Sequence, residues 1–517
     1  MNGAQALIRT LVSSGVDVCF ANPGTSEMHF VAALDAVPEM RALLALFEGT
    51  ATGAADGYGR MADRPAAALL HLGPGLGNGL ANLHNARRAR TPLVAIVGDH
   101  AAYHSRYDAP LESDIEVVAG SVSGWVRRSV SAADAGADAA GAVAAAAGPP
   151  GQVATLILPA DVSWSEGAQP APPAARGASV SVPEDLVAAA AAALRSGEPC
   201  VLLAGAAATR EAGLAAASRI AVATGARLLC ETFPARLERG AGVPGAPRLA
   251  YLAEAASAQL EGARHLILAG ARSPVSFFAY PGKPSDLVPA GCQVHPLGSP
   301  ADDVVAALAD LADRVAPGVA PARSAAERPA LPSGDLTGES LAHAVGALLP
   351  DGAIVADEAN TAGLWLPAAT AGAPRHDWLT LTGGAIGQGL PVATGAAVAC
   401  PGRPVLCLEA DGSAMYTISA LWTQARAGLD VTTVILSNRC YDILNMELQR
   451  VGAHAAGPRA RDLLDLSRPD LDFVALATGL GVPASRATTA EDFAKQLGQA
   501  LAEPGPHLVE AVLPPLF

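Results

Sequence analysis

Short apolar runs recur along the chain, and most are followed by a segment with helical periodicity. In the clearest passage, the run PVLCLEA (404–410) precedes a helix-like segment that ends at Gly428, and the β-branched run VTTVILS (431–437) follows. Because a right-handed crossover makes the strands it joins parallel, this alternation predicts α/β folding on parallel sheets. Seven further strand-like runs are VDVCFAN (16–22), AAALLHL (66–72), LVAIVGD (93–99), PCVLLAG (199–205), ARLLCET (226–232), HLILAG (265–270) and AIVADEA (353–359).

Two passages rich in proline and alanine have the composition of linkers, at residues 166–183 and 314–334. They divide the nine strand-like runs into three groups of three. We therefore predict three doubly wound parallel-sheet domains, at residues 1–165, 183–316 and 333–517.

Composition limits the partners and the compartment. The 517-residue chain carries a net charge of −15 and only two lysines, so an extended nucleic-acid surface is not expected. The seven cysteines form no CxxC pair, which is typical of reduced thiols in the cytoplasm. The N-terminal residues lack the continuous apolar region of a signal peptide, and no apolar run is long enough to span a membrane.

An acidic turn and an asparagine follow two of the predicted strands. Asp411 comes after the run 404–410, and Asn438 comes after the run 431–437. Carboxyl ends of parallel strands share one sheet edge, and neighbouring strands lie about 4.8 Å apart. Gly412 permits a tight turn, and Ser413 is expected to begin a helix whose free N–H groups favour a phosphate. Hard oxygen ligands beside a phosphate predict Mg²⁺ bound to a diphosphate.

Four other positions are candidates, each with an ordinary structural alternative. The glycine-rich passage LTGGAIGQGLP (381–391) allows close approach to a ligand, although glycines also serve packing. Asn360 and Thr361, after the run 353–359, are placed to donate to phosphate or to form a turn. Glu48 is either a proton-handling carboxylate or a charge at a helix start. His71 is either a proton carrier or a structural histidine.

Taken together, these motifs resemble the thiamine-diphosphate-dependent decarboxylases and carboligases, a superfamily that includes acetolactate synthase and benzoylformate decarboxylase. The resemblance covers nearly the whole chain. The family's diphosphate motif is Gly-Asp-Gly followed some two dozen residues later by Asn; here Asp411, Gly412 and Asn438 match it. The sequence departs from it at Ala410 and at Arg439, where many members have a second Asn.

The resemblance implies thiamine diphosphate and Mg²⁺ as cofactors and assigns a role to each matching residue. Glu48 would hydrogen-bond the aminopyrimidine ring, and Ile386 would hold the cofactor in its bent conformation. The implied metal ligands are Asp411, Asn438 and the backbone carbonyl of Cys440. The other implied cofactor-binding residues are Asn360, Thr361, Gly384, Gly412, Ser413 and Tyr416.

The branch of the superfamily is less defined. The segments around Thr25 and His71 resemble benzoylformate decarboxylase, which implies that His71 transfers protons and that Thr25 contacts substrate. A second catalytic histidine of that enzyme aligns near Phe278. Leu111 takes the place of an active-site glutamine of acetolactate synthase. No clear flavin signature is found in 183–316, so FAD is not supported.

The implied reaction is decarboxylation of a 2-oxo acid with transfer of the acyl carbanion to a second carbonyl, as in acetolactate synthase. Three alternatives stay open: a benzoylformate decarboxylase-like enzyme that releases an aldehyde, a catalytically weak paralogue that acts as a partner subunit, and an acyl-CoA lyase. Because the family binds its cofactor between two subunits, the resemblance implies at least a homodimer and, as the expected assembly, a homotetramer.

Overall fold

A computed structural model describes residues 1–453 and 457–516 and contains three β-sheets. All strand pairs within the first two sheets are parallel, and the third has one antiparallel pair. The predicted fold class, three doubly wound α/β domains, is therefore confirmed. None of the described helices is long and apolar enough to cross a membrane.

The first sheet has six strands in the order β2-β1-β3-β4-β6-β5. Its strands are β1 (Val18–Ala21), β2 (Arg41–Leu44), β3 (Ala66–Leu70), β4 (Leu93–Asp99), β5 (Trp125–Arg128) and β6 (Val153–Pro159). The helices of this part are α1 (Gly3–Ser13), α2 (Met28–Ala33), α3 (Glu48–Ala62), α4 (Leu72–Ala89), α5 (Ile115–Gly120), α6 (Ala135–Ala147) and α7 (Ala160–Trp164).

The central part of the chain supplies a four-stranded sheet and one strand that leaves it. Its strands are β7 (Cys200–Ala204), β8 (Arg227–Cys230), β9 (Leu237–Arg239), β10 (His265–Ala269) and β11 (Gln293–Pro296). Its helices are α8 (Glu184–Arg195), α9 (Glu211–Thr224), α10 (Ala253–Leu260) and α11 (Val304–Val315). The sheet order is β11-β10-β7-β8, and β9 pairs elsewhere.

The third sheet has seven strands in the order β16-β17-β15-β14-β12-β13-β9. Its own strands are β12 (Ile354–Glu358), β13 (His376–Thr380), β14 (Val405–Ala410), β15 (Val431–Ser437), β16 (Ala484–Ala487) and β17 (His507–Val512). Its helices are α12 (Gly338–Leu348), α13 (Leu366–Ala369), α14 (Gly389–Ala399), α15 (Asp411–Thr417), α16 (Ala420–Ala427), α17 (Asp442–Arg450), α18 (Pro458–Asp462), α19 (Phe473–Gly479) and α20 (Ala490–Ala502).

The structure differs from the sequence pattern in its strands and in one helix. Eight strands of the described residues were not predicted, namely β2, β5, β6, β9, β11, β13, β16 and β17. Among them, β9 pairs antiparallel with β13 at the edge of the third sheet. The helix expected to begin at Ser413 begins at Asp411 and is interrupted between α15 and α16. Gly428 ends α16 as predicted, because its φ of +59° lies in the left-handed region that glycine accepts.

The first and third sheets share a hydrophobic core through the helices α3 and α14. A Cβ atom added at Gly395 would overlap the carbonyl oxygen of Ala54, and one added at Gly57 would overlap that of Val392. The two helices thus approach with backbone against backbone, which fixes the first part of the chain on the third. The predicted domain bounds stay a prediction, and Phe517 lies outside the described residues.

Candidate functional site

The candidate site lies where three parallel strands of the third sheet end together. β12 pairs with β14 up to Glu358 opposite Glu409, and β14 pairs with β15 up to Ala410 opposite Leu436. The loops that follow these strands surround one cleft. Its lining residues are Ala359, Asn360, Thr361, Ala362, Ile386, Ala410, Asp411, Gly412, Ser413, Leu436, Asn438, Cys440, Tyr441, Asp442 and Ile443.

Asp411 is buried in this cleft beside Asn438. Its carboxylate accepts hydrogen bonds from the backbone N–H of Gly412 at 2.8 Å and of Arg439 at 2.6 Å. Burial raises the pKa of the Asp411 carboxyl to about 6, although the N–H donors oppose the rise. The side-chain oxygen of Asn438 accepts a 3.2 Å hydrogen bond from Cys440 N–H, and both side chains line the cleft.

Close packing around Gly412 shapes the floor of the cleft. A Cβ atom at Gly412 would overlap the ring of Tyr441. Ser413 lies next to it, and its hydroxyl accepts a 3.1 Å hydrogen bond from the side-chain amide of Asn360. Asn360 adopts a φ of +49°, which turns the chain sharply after β12. Thus the segments after β12 and β14 are joined by their predicted phosphate-binding residues.

A buried glutamate that the sequence analysis missed holds the glycine-rich loop. Glu358 accepts backbone hydrogen bonds from Gly387 at 2.7 Å, Gln388 at 2.7 Å and Gly389 at 2.5 Å. Burial raises the pKa of the Glu358 carboxyl to about 7 against the effect of these bonds. The loop that presents Ile386 to the cleft is therefore anchored to the end of β12.

Two predicted cofactor residues lie beside the cleft and do not line it. Gly384, with a φ of +74°, lies under the ring of Phe277, whose Cζ would be 2.7 Å from an added Cβ atom. Tyr416, on α15, packs over Gly387 and leaves 55% of its surface exposed. Both contacts involve the glycine-rich loop, one on each side of Ile386.

Glu48 and His71 come together in the first part of the chain. Glu48 is the first residue of α3 and is 8% exposed, and its carboxylate accepts a 3.0 Å hydrogen bond from the Asn78 amide. A Cβ atom at Gly75 would lie 3.0 Å from the Glu48 carboxylate and 3.4 Å from His71 Cβ. The side chains of Glu48 and His71 are therefore neighbours across one turn of α4.

His71 is held by a second carboxylate that sequence reasoning missed. Its Nδ1 lies 2.8 Å from the carboxylate of Glu27, which is 2% exposed. Glu27 also accepts hydrogen bonds from the Ser26 hydroxyl and, at 2.7 Å, from Gly24 N–H. Glu27 lies 44 residues from His71, so the only signal available was its place two residues after the predicted substrate residue Thr25.

The other predicted substrate residues are more exposed. Thr25 is exposed at the start of a short 3₁₀ turn, and Leu111 is 37% exposed in the loop before α5. Phe278 is 54% exposed and contacts Phe277, with ring centroids 4.9 Å apart. Within one chain, the cleft lining therefore includes Ile386 and Asp411 but none of Glu48, His71 and Thr25.

The comparisons with known proteins agree with this geometry. Residues 1–118 match the thiamine pyrophosphate enzyme N-terminal TPP binding domain, and residues 361–511 match the C-terminal TPP binding domain. The chain is also 68% identical over 523 residues to a Mycobacterium tuberculosis protein named "Putative acetolactate synthase large subunit IlvX", and 100% of each chain is covered. This chain belongs to the thiamine pyrophosphate enzymes.

Two further proteins resemble it along almost its full length. Benzoylformate decarboxylase of Pseudomonas aeruginosa is 31% identical over 537 residues, with 96% of each chain covered. The solved structure of a thiamine diphosphate-dependent 4-hydroxybenzoylformate decarboxylase from Rhodococcus jostii superposes with a TM-score of 0.86 at 25% identity, covering 99% of each chain. The predicted family is therefore confirmed, and the enzyme is of the acetolactate synthase or benzoylformate decarboxylase type.

The residues of the cleft fit thiamine diphosphate, the cofactor of this family. The close approach at Gly412 leaves backbone facing the cleft, and Ser413 and Asn360 place a hydroxyl and an amide beside it. Ile386 supplies an apolar side chain on the opposite loop. This thiamine pyrophosphate enzyme thus carries polar groups for a diphosphate and an apolar support in a single cleft.

Proposed function

We propose that this thiamine pyrophosphate enzyme decarboxylates a 2-oxo acid in the presence of Mg²⁺ and transfers the acyl unit to a second carbonyl compound. The observation that carries the proposal is the cleft in which Asp411, Asn438 and Ile386 meet at the end of the third sheet. Thiamine diphosphate, when bound, would supply the electron sink for the breaking carbon–carbon bond. The protein would bind the cofactor and the substrate, orient them, and exchange protons with them.

Mg²⁺ would be held by Asp411, Asn438 and the backbone carbonyl of Cys440. All three supply hard oxygen atoms, which suit a small divalent cation that also binds diphosphate. Among the described residues, no group of three or more His, Cys, Asp or Glu side chains forms a metal site. A set of one carboxylate, one amide and one carbonyl that leaves positions for diphosphate oxygens is consistent with that finding.

Glu48 would act on the aminopyrimidine ring of the cofactor. Its carboxylate is buried at the start of α3 and is oriented by the Asn78 amide. In this position it would hydrogen-bond the ring nitrogen and stabilise the tautomer that takes up a proton. Asn360, Thr361, Gly412 and Ser413 would contact the diphosphate, while Gly384 and Tyr416 would shape the loop that carries Ile386.

Release of an aldehyde is the second candidate, and the contact between His71 and Glu27 favours it. An imidazole with one nitrogen bound to a carboxylate is oriented to carry a proton at the other nitrogen. However, Phe278 has no group that donates a proton. The resemblance places a second catalytic histidine near this position. The absence of that proton donor supports acyl transfer as the first candidate.

Assembly and location form part of the proposal. The cleft of one chain lacks Glu48, so a second copy that supplies Glu48, His71, Thr25 and Leu111 would complete it, in at least a homodimer and in the expected homotetramer. The exposed Met415 and Tyr416 near the cleft suit such a contact.

Seven free cysteines accord with the reducing cytoplasm. The rival proposal of an inactive partner subunit is tested below by turnover. An acyl-CoA lyase ranks third, and FAD has no support.

Product analysis tests the function. Purified protein with thiamine diphosphate and Mg²⁺ is given pyruvate and benzoylformate separately, and CO₂ and products are measured. We expect CO₂ release that Glu48→Gln lowers by at least about a hundredfold while cofactor affinity is kept. Acetolactate or another acyl-transfer product supports the first candidate, and a free aldehyde supports the second. Absence of turnover on any 2-oxo acid, together with co-purification of another subunit, would favour the partner role.

A further inference from the structure

Four aromatic side chains converge next to the glycine-rich loop. The Phe277 ring centroid lies 5.9 Å from Phe233, 5.2 Å from Tyr251 and 4.9 Å from Phe278, at interplanar angles of 74°, 53° and 68°. These are the offset and edge-to-face geometries that aromatic rings prefer. Aromatic residues make up only 4% of the chain, so a group of four is a local concentration. We name these four residues the aromatic wall.

The aromatic wall is continuous with the cofactor cleft. The Phe277 ring packs over Gly384, where a Cβ atom would lie 2.7 Å from its Cζ. Gly384 is two residues before Ile386, which lines the cleft. A side chain at position 384 would displace the ring, so the absence of a Cβ atom lets the wall reach the edge of the cleft.

The hairpin that carries Phe277 and Phe278 is fixed in place. Residues 274–287 form a short antiparallel turn through the bridge between Val275 and Asp286. Tyr280, in the same turn, is 8% exposed and lies under the guanidinium of Arg450 at 4.7 Å. Arg450 forms a 3.0 Å ion pair with Glu254. Arg450 is the last residue of α17, and the first residues of this helix line the cleft. The helix α17 therefore contacts the hairpin at one end and the cleft at the other.

The front of the wall is apolar and uncovered. Phe277 and Phe278 are 42% and 54% exposed, whereas rings that serve only a core are covered. The Tyr251 hydroxyl is hydrogen-bonded to Tyr280, so it points into the hairpin. Exposed aromatic faces at the mouth of a cofactor cleft are suited to an apolar group that enters with the substrate.

We propose that Phe277 and Phe278 form the subsite for the side chain of the 2-oxo acid donor, and that this subsite selects an aromatic side chain over the methyl group of pyruvate. The inference rests on the proposed function and names its substrate class. A phenyl ring placed edge-to-face on Phe278 gains a contact that a methyl group cannot make. One such contact corresponds to a preference of about tenfold.

The test compares two donors in matched variants. We measure kcat/KM for benzoylformate and pyruvate with wild-type protein, Phe278→Ala, Phe277→Ala and the control Val275→Ala, an exposed residue of the same hairpin. We expect wild type to prefer benzoylformate and both Phe variants to lose at least about tenfold on benzoylformate with less than about twofold change on pyruvate. Val275→Ala keeps both values. Equal losses on both donors, or a wild-type preference for pyruvate, would overturn the subsite.

A binding measurement separates this inference from the proposed function. Calorimetric titration of benzoylformate and of pyruvate into cofactor-loaded Glu48→Gln protein needs no turnover. Tighter binding of benzoylformate that Phe278→Ala removes supports the subsite even if no product forms. Equal affinities overturn it even if the enzyme is active. A change of oligomeric state in Phe278→Ala, seen by light scattering without any change in donor affinity, would instead assign the wall to a contact between copies.

Discussion

At the scale of single residues, local motifs and distant contacts differed in how far the sequence could predict them. Asp411 and Asn438 were predicted because each lies just after a strand, where short-range patterns mark the end of the strand. Ile386 was assigned by the family resemblance, within a glycine-rich passage that the sequence pattern had marked. Glu27 and Glu358 were missed because a carboxylate that acts on a partner tens of residues away has no periodic signal. Their positions depend on which strands become neighbours.

Glu27 gives the first prediction. Glu27→Gln removes the carboxylate beside His71 Nδ1 and places an amide in a pocket where Gly98 leaves no spare room. We expect kcat to fall about tenfold to a hundredfold with little change in cofactor affinity, because His71 loses the carboxylate that orients its ring while the residues that line the cleft are unchanged. Steady-state kinetics with a cofactor titration measures both. Ser26→Ala, which keeps the carboxylate, is the control; full activity of Glu27→Gln would remove the role given to His71.

At the scale of elements, the periodicity of the chain predicted central strands of the three sheets better than it predicted short strands and the strands at sheet edges. All nine predicted strands are present, and eight further strands of the described residues were not predicted: β2, β5, β6, β9, β11, β13, β16 and β17. β9 was missed because three residues are too few for a period-2 pattern, and its pairing depends on the exposed edge of β13. The expected helix after β14 is divided into α15 and α16, since tertiary packing overrides a continuous helical pattern.

The contact between α3 and α14 predicts the cost of a single methyl group. Gly395→Ala places a Cβ atom against the Ala54 carbonyl, so we expect the free energy of unfolding to fall by about 1 to 3 kcal/mol. Gly498→Ala, in α20, meets only Leu348 at 4.0 Å and should raise stability by about 0.5 to 1 kcal/mol. Thermal or urea unfolding of both variants checks the difference. Equal effects would mean that the helices move apart freely.

His376, at the start of β13, makes stability depend on pH. Burial, followed by the charge of Arg239, lowers the pKa of His376 from its ordinary 6.5 to about 4. Between these values the unfolded chain binds a proton that the folded chain excludes, so stability present above pH 6.5 is lost as pH falls toward 4. At pH 5 the loss is about 2 kcal/mol.

The variant His376→Phe isolates this effect. It removes the titrating group and also the 2.7 Å hydrogen bond to the Pro374 carbonyl, a loss that does not depend on pH. Unfolding midpoints at pH 7.5 and pH 5 should therefore differ less in the variant than in wild type. Identical pH dependence in both proteins would show that folding does not lower the pKa of His376.

At the scale of the whole molecule, the sequence predicted three parallel-sheet units and their order. It did not predict that α3 and α14 share a core, because contacts between distant segments have no local signal. The cleft lining of one chain does not include Glu48, the carboxylate proposed to act on the cofactor. This separation of Glu48 from Asp411 gives a test of assembly.

Mixing two inactive variants tests whether the sites are shared between subunits. Asp411→Ala should lose Mg²⁺-dependent cofactor binding, and Glu48→Gln should lose turnover. If each site takes Glu48 from one subunit and Asp411 from the other, a mixed dimer has one intact site, and random mixing restores about a quarter of wild-type activity. Co-refolded or co-expressed variants measure this. No recovery in verified mixed dimers would place both residues of a site in the same chain.

The strand β9 has a consequence for how this protein is divided. It comes from the central part of the chain, yet it covers the outer edge of β13, and Arg239 lies 5.0 Å over the ring of Trp378. A cloning boundary near residue 333 would expose a hydrogen-bonding edge that invites pairing with other chains. The central part therefore closes an edge of the neighbouring sheet within the same polypeptide, and exchange of domains between relatives would have to carry β9 along with that sheet.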